Sequence, residues 1–375
     1  MSSSSGVERA VEAGATGQAA RRLGPISAVV CNYNGEDYLP GCLDALLAQE
    51  EALDEILVVD NASEDASLAL LRERYPMVKV LPLFDNAGPC AARNAGMRAA
   101  RNRFVLAIDN DAVLLPDVVG RLRAALEADA EACAVQTRSV FDTEPGRVHY
   151  DSGHFHYLGL YALRNFCQPL SEAQGEGVVE VDGIIAIAVL LDARRVLEIG
   201  GYDEDYFILF EDFDLALRLR IAGERILSEE EALVRHRGGT PGISFREASY
   251  PKIRAYYHSR NRWMLMLKAY RWRTLLVGLP GILLYELVWL AFTAKSGHLR
   301  AHCAGKFSFL RSLPSTLAKR RAVQSSRALS DRELYVAGPL TLSPQLVASP
   351  LRRRLVGALS ALLASWWRLA RFAAG

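Results

Sequence analysis

From Ile26 onward, apolar and polar stretches alternate in a rhythm of strand and helix. The apolar runs Ile26–Cys31, Glu55–Val59, Val78–Leu83 and Arg103–Ile108 predict strands, with helices at Tyr38–Gln49, Asp65–Tyr75 and Pro89–Ala100 between them. Near-continuous apolar strands joined by helices are the pattern of a parallel sheet covered on both faces, with right-handed crossovers. The expected fold class is α/β, a mixed sheet flanked by helices. After a further helix at Pro116–Ala130 the rhythm changes. Residues 133–191 read as strands and long loops, ending in the apolar run Ile184–Leu191. Helices at Asp192–Ile199 and Glu211–Ala222 follow, then short strands at Arg225–Ser228 and Ala232–His236. Phe213, Leu217 and Ile221 fall on one face of the second helix.

Beyond Tyr250 the pattern shifts again. Leu275–Ala294 is mainly apolar and long enough to span a bilayer, but Pro280, Gly281 and an unpaired-looking Glu286 interrupt it and argue against a simple span. A second hydrophobic segment, 351–373, has Arg352, Arg353 and Arg354 at one end and Arg368 and Arg371 near the other. Leu355, Leu359, Leu362, Trp366 and Leu369 share a helical face there, and Trp366-Trp367 beside Arg suits a helix lying at headgroup level. Three regions are expected: a disordered leader at 1–24, an α/β body at 25–250 and a basic helical membrane-associating region at 251–375.

Charge sharpens this division. Residues 1–250 hold 23 Lys+Arg against 40 Asp+Glu, a net of −17, and residues 251–375 hold 21 against 3, a net of +18. An acidic body with a basic tail implies an anionic partner surface. The tail mixes Arg with long apolar stretches, which favours an anionic membrane over nucleic acid. The leader lacks an apolar signal region, and the six cysteines show no C-x-x-C pair, so reduced and mostly buried thiols are expected.

Candidate chemistry collects at the strand ends. Asp109-Asn110-Asp111 closes the fourth run, which puts two carboxylates at the mouth of a buried strand, where ligands bind in open α/β sheets. Such hard oxygen ligands suit Mg²⁺ or Mn²⁺ held together with a substrate's phosphates. Cys31-Asn32-Tyr33-Asn34-Gly35 follows the first strand, and Asp60-Asn61-Ala62-Ser63 the second. Asp60 can accept from a uracil or thymine N–H, or can serve as a turn or cap residue. Asn86-Ala87-Gly88 with Arg93-Asn94 opens the third helix. Arg93 can pair with a phosphate or carboxylate, or stand solvated on its helix. Glu211-Asp212-Phe213-Asp214 begins a helix whose dipole favours ionised carboxylates, and acidic capping alone would account for the same residues. His236-Arg237-Gly238-Gly239-Thr240 follows the last strand.

In this order and spacing the stations resemble family 2 glycosyltransferases of the GT-A fold, a Rossmann-like architecture, over roughly Ile26 to Lys268. The nearest likeness is to the non-processive, rhamnosyltransferase-like branch. The body would then divide into a nucleotide-sugar half (25–115) and an acceptor half (116–250). The resemblance implies an inverting sugar transfer from a dTDP- or UDP-sugar, dTDP-rhamnose among them, to a glycan or lipid-linked acceptor in cell-surface polysaccharide synthesis. It implies that Asn32 and Tyr33 flank the base, that Asp109 and Asn110 contact the donor, and that Asp111 is the main metal ligand. Asp109 and His236 would complete the metal site. Asp212 would be the base that takes the acceptor proton, with Glu211, Asp214 and Asp182 on the acceptor side. Asp182 also fits a plain turn before its strand, and His236 a structural histidine. The loosely spaced His149, His154 and His156 read as ordinary loop histidines.

Processive synthases carry Q-x-x-R-W after the base, whereas this chain has Ser259-Arg260-Asn261-Arg262-Trp263, which favours single addition. The competing classes are a silent sugar-nucleotide binder, disfavoured by intact Asp111, Asp212 and His236, and a sugar-nucleotide pyrophosphorylase. The latter needs a Gly-rich basic loop that Cys31–Gly35 lacks. The expected location is the cytoplasmic face of the plasma membrane, peripheral or monotopic.

Overall fold

The computed structural model describes residues 22–237, 250–341 and 349–374. The expected leader and Gly238-Gly239-Thr240 thus lie almost wholly outside the described residues. The first half runs β1 (Ile26–Asn32), α1 (Leu39–Leu47), β2 (Glu55–Asp60), α2 (Ser67–Arg74), β3 (Lys79–Pro82), α3 (Gly88–Ala99), β4 (Phe104–Asp109), β5 (Ala112–Leu114) and α4 (Val118–Ala128). The second adds β6 (Ala132–Phe141), β7 (Glu144–Tyr150), β8 (Gly153–His156), β9 (Leu160–Leu163), β10 (Val178–Val181), β11 (Ala188–Asp192), α5 (Ala193–Glu198), α6 (Glu211–Ile221) and β12 (Arg225–His236). The chain then continues through α7 (Lys252–Ala269), α8 (Trp272–Lys295), α9 (Leu299–Ser325), α10 (Asp331–Leu334) and α11 (Pro350–Ala374).

The main sheet has the order β10-β12-β6-β11-β4-β1-β2-β3, with β5 on β12 and β7 on β6. Strands β3, β2, β1 and β4 are parallel, and β11 enters antiparallel between β4 and β6. Register does the positioning. Asn32 stands opposite Asp60, and Cys31 opposite Asp109, so the polar stations line up along one sheet edge.

Alternate residues of the parallel strands face opposite layers, as a two-residue period requires. Ala28, Val30, Val58, Leu106 and Ile108 pack with α1 and α4 residues, whereas Val29, Val59, Val105 and Ala107 pack toward α3 and α6. Each such fully buried Val, Leu or Ile contributes about 1.5–3 kcal/mol relative to exposure. The two strands expected at Arg225–Ser228 and Ala232–His236 are one strand, β12, with a register break between Glu229 and Leu233 against β6. Glu230 is buried there and is paired with Arg138 and with Arg164 at 2.8 Å.

The C-terminal helices share the body's core. Met264, Leu265, Tyr270 and Trp367 belong to the same buried cluster as Tyr157 and Leu217. Lys268 of α7 pairs with Asp203 at 2.5 Å and Asp214 at 2.6 Å. Glu286 is not unpaired: Arg262 contacts it, Trp263 Nε1 donates to it at 2.9 Å and Lys306 lies at 2.7 Å. Helix α11 packs on α8. Trp367 stacks on Tyr157 at 4.6 Å, and Trp366 Nε1 donates to the Val277 carbonyl at 3.0 Å.

Candidate active site

One cavity of about 1860 Å³ opens at the strand-end edge of the sheet. Asn32, Tyr33, Asn61, Asn86, Arg93, Asp109, Asn110, Asp111, Glu211, Asp212 and His236 all line it. Of the residues expected at the site, Asp60, Asp182 and Asp214 are not among its walls.

The cavity floor at Asn32 and Asn110 is a hydrogen-bond chain. Asn110 donates to Asn32 Oδ1 at 2.8 Å, and Asn32 donates to Asp60 Oδ1 at 2.8 Å. Ser63 fixes the same Asp60 carboxylate through its hydroxyl at 2.6 Å and its backbone N–H at 3.0 Å. Asp60 therefore orients Asn32 from below. Gly35 allows this chain to close, because a Cβ there would lie 2.1 Å from Asn32 Oδ1 and 2.2 Å from Asn110 Nδ2.

Strand pairing assembles the second cluster. β5 runs antiparallel to β12 with Ala112 opposite His236, and the Arg237 N–H donates to the Asp111 carbonyl at 3.0 Å. Ligand atoms of Asp109, Asp111 and His236 consequently lie within 4.8 Å of one another. Two carboxylates and one imidazole form a donor set that fits Mn²⁺ or Mg²⁺, with room left for phosphate oxygens. Behind them His149, on β7, places its Nδ1 3.1 Å from His236 Nδ1. A histidine that ligates through Nε2 carries its proton on Nδ1, and His149 stands where it can accept that hydrogen bond. Spacing alone had grouped His149 with His154 and His156. In the fold it is buried behind the cluster, whereas His154 is exposed and pairs with Asp182 at 2.6 Å.

Arg93 joins this cluster to the carboxylates at the start of α6. Its guanidinium donates to Asp109 at 2.7 Å, to Asp212 at 3.4 Å and to the Ala186 carbonyl at 3.2 Å. Asp212 in turn accepts from the Ala186 N–H at 3.0 Å. Burial pushes the Asp109 carboxyl up to about 6 against the pull of Arg93. Burial also raises Asp212, again against Arg93. Glu211, buried and beside the Asp212 charge, is pushed up to about 8. Asp212, a buried carboxylate with a raised affinity for protons beside the protonated Glu211, is suited to taking a proton from a hydroxyl.

The turn ahead of α6 is strained. Phe207, Leu209 and Phe210 have φ of 62°, 66° and 74°, a region that costs non-glycine residues of order 1–3 kcal/mol each. Asn261 of α7 compensates by donating to the carbonyls of Tyr206 at 3.2 Å, Ile208 at 2.9 Å and Leu209 at 2.7 Å. Asp214 is fully buried, bonded to Tyr206 at 3.0 Å and to Arg218 at 2.7 Å, and so fixes backbone around the site.

Comparisons with known proteins agree with this geometry. Residues 27–176 match the model of "Glycosyl transferase family 2", and residues 104–342, well over half of the chain, match that of "Glycosyl transferase family group 2". The chain is 39% identical over 112 residues to the succinoglycan biosynthesis protein ExoO of Rhizobium meliloti, covering 29% of this chain and 31% of that protein. It is 30% identical over 142 residues to the putative glycosyltransferase EpsH of Bacillus subtilis, covering 36% of this chain and 41% of that one. The chain thus spans less than half the length of these two relatives. Among solved structures, S. aureus TarS 1–349 in complex with UDP is similar at a TM-score of 0.50 and 16% identity, over 93% of this chain and 90% of that one. This likeness and the strand order give the GT-A fold expected from the sequence. With the family models matching across the body and into the C-terminal helices, the chain belongs to the family 2 glycosyltransferases.

Proposed function

We propose that this chain transfers a sugar from a nucleoside diphosphate donor to an acceptor hydroxyl, with inversion at the anomeric carbon. The observation that carries this reading is the opposition, within one cavity, of the Asp109–Asp111–His236 group and Asp212, with Arg93 bonded between them. Asn32, Tyr33, Asn61 and Asn86 line the donor end and offer polar edges for a base, with Asp60 acting through Asn32. Asp109, Asp111 and His236 would hold Mg²⁺ or Mn²⁺, which neutralises charge on a leaving diphosphate. Asp212 takes the acceptor proton as the acceptor oxygen bonds to the anomeric carbon and the bond to the diphosphate breaks. One base and no enzyme nucleophile gives a single in-line displacement and therefore inversion. Glu211 and the aromatic turn before α6 position the acceptor. dTDP-rhamnose and UDP-sugars are the donors to test first, and the relatives' roles, succinoglycan biosynthesis among them, support a glycan acceptor in polysaccharide synthesis.

The same reading puts the protein on the cytoplasmic side of the plasma membrane as a peripheral or monotopic protein. Helix α8 is long and apolar enough to cross a bilayer, yet it packs on α11 and turns leucines outward. Leu276 is 71% exposed, Leu287 64% and Leu369 of α11 77%. Arg352, Arg353 and Arg354 flank the outer face of α11, each worth about 1 kcal/mol near an anionic leaflet.

Calorimetry of UDP and dTDP with and without Mn²⁺, followed by NMR of the product anomer, tests the reaction. Metal-dependent nucleotide binding and an inverted product are expected. Absence of nucleotide binding in Mn²⁺ refutes the reading.

A further inference from the structure

The stretch from Asp203 to Asp214 carries the strained turn and, near its end, Asp212. Positive φ at Phe207, Leu209 and Phe210 persists only where surrounding groups over-determine the backbone. Helix α7 supplies such groups from one face. Asn261 and Lys268 stand seven residues apart on it, close to two full turns, and so project from the same side. Asn261 holds the middle of the stretch through the carbonyls of Tyr206, Ile208 and Leu209. Lys268 holds the two ends.

Lys268 Nζ lies 2.5 Å from Asp203 Oδ2, 2.6 Å from Asp214 Oδ1 and 4.7 Å from the centre of the Tyr206 ring. All three side chains are buried, so salt screens these pairs far less than it would surface ones. Asp203 opens the short turn that ends at Tyr206, whose N–H donates to the Asp203 carbonyl at 3.1 Å. Asp214 closes the first turn of α6, its own N–H donating to the Phe210 carbonyl at 2.8 Å. Each acid also has a second cation. Lys319 of α9 lies 2.5 Å from Asp203, and Arg218 donates to Asp214 at 2.7 Å. Among the described residues, Lys268 is the cation that pairs with both. Its own contribution is therefore the link. Without it neither acid is left alone, but the ends of the stretch are no longer fastened to each other or to α7.

We propose that Lys268 is a positioning residue for Asp212: by fastening Asp203 to Asp214 it holds closed the turn that presents Asp212 to the cavity. The proposal rests on the reading above of Asp212 as the base, and it makes α7, which follows the α/β body in the chain, part of what sets that base. Asp212 itself is fixed on its other side by the Ala186 N–H at 3.0 Å and by Arg93 at 3.4 Å. A turn free to drift by about 1 Å would lose this alignment, and misplacement on that scale can cost about 10²-fold in rate.

The test compares the full chain with Lys268→Met, Asp214→Asn and the double variant. Met keeps the length of the stem and removes the charge. Asn keeps the shape of Asp214 and breaks the same link from the other end, so it carries the test should Lys268→Met not fold. Hydrogen exchange needs no substrate and decides the link on its own. Amides of 204–213 should exchange about tenfold faster or more in the variants, with β1, β2 and β4 unchanged. Turnover is read with water as acceptor, as Mn²⁺-dependent release of nucleotide from UDP-glucose, UDP-galactose and dTDP-rhamnose. Well below each variant's Tm, kcat should fall about ten- to a hundredfold while UDP–Mn²⁺ affinity holds. The double variant should be no worse than the poorer single one, because both substitutions break one link. Unchanged exchange overturns the proposal, and so does faster exchange with the parent's kcat, which would make Lys268 purely structural. Additive losses in the double variant overturn the route through Asp214. A collapse of turnover in Asp212→Asn with the parent's kcat in Lys268→Met removes the Lys268 proposal alone, whereas parental turnover in Asp212→Asn removes the base reading itself.

Discussion

Nε2 of His236 lies 3.0 Å from Oδ1 of Asp111, although the two residues are far apart in the sequence. The pairing of β5 with β12 sets this distance, since His236 faces Ala112 directly in the register. The Asp109–Asp111–His236 group that could hold a metal is therefore a product of sheet topology.

Asp111→Ala should abolish metal-dependent nucleotide binding and leave the fold intact. Asp109, Asp111 and Asp212 surround a single arginine, Arg93, in this part of the cavity, so a doubly negative diphosphate should enter favourably only with its cation. Metal and nucleotide should accordingly enhance each other's affinity by the same factor. Calorimetry of UDP with and without Mn²⁺ measures this, and unchanged donor affinity in Mn²⁺ excludes Asp111 as a ligand.

Asp212→Asn keeps the side chain's shape and its bond from Ala186 but cannot take a proton. Nucleotide affinity should hold within a few-fold, and kcat should fall by about 10²–10⁴. Turnover close to the parent's would move the base to Glu211.

Glu211 holds its proton to about pH 8 in the fold, against an ordinary value of 4.5, because of burial and the Asp212 charge. Between those values the folded state binds the proton that the unfolded chain releases, so stability falls as pH rises through that window. Glu211→Gln should flatten the decline and raise Tm relative to the parent at pH 8.5. A thermal melt series from pH 5 to 9 decides it, and parallel curves for parent and variant would contradict the assignment.

Asn261→Ala removes three hydrogen bonds from the strained turn before Asp212. The cost should be about 1–3 kcal/mol of stability. A roughly tenfold fall in kcat should accompany it, with nucleotide affinity unchanged, as expected of a positioning residue. A variant that loses stability but keeps kcat would make Asn261 purely structural.

Deleting α11 would expose the Tyr157–Trp367 stack, so membrane binding is better tested at the surface. Replacing Leu355, Leu362 and Leu369 with Ser should weaken flotation with anionic liposomes while leaving Tm nearly unchanged. For the parent, binding should also fall with salt. A parent chain that ignores such liposomes at low salt refutes the membrane assignment.

The parallel half was legible in the sequence because continuous apolar runs mark doubly covered strands. β1 to β4 begin and end within one or two residues of the runs that predicted them. β5 was hidden, since three residues between Asp111 and Leu115 are too few to show a period. β12 looked like two strands because Glu229, Glu230 and Glu231 break its apolar pattern, and only the fold brings Arg138 and Arg164 to Glu230. Glu286 looked isolated for the same reason, its partners lying on two other helices. The face expected on α11 is divided: Leu355, Leu362 and Leu369 are exposed, and Leu363 and Trp367 carry the packing. Periodicity finds an apolar face but does not say whether protein or lipid covers it.

Helix α8 lines the cavity with Trp289 and turns Leu276 and Leu287 away from it. If that outer face sits on a bilayer and the acceptor is lipid-linked, the reaction becomes a meeting of two phases, with the nucleotide arriving by three-dimensional diffusion and the acceptor by lateral diffusion in a plane. Saturation by acceptor would then follow its mole fraction in the leaflet, and inert lipid added at constant bulk concentration would slow turnover by surface dilution alone.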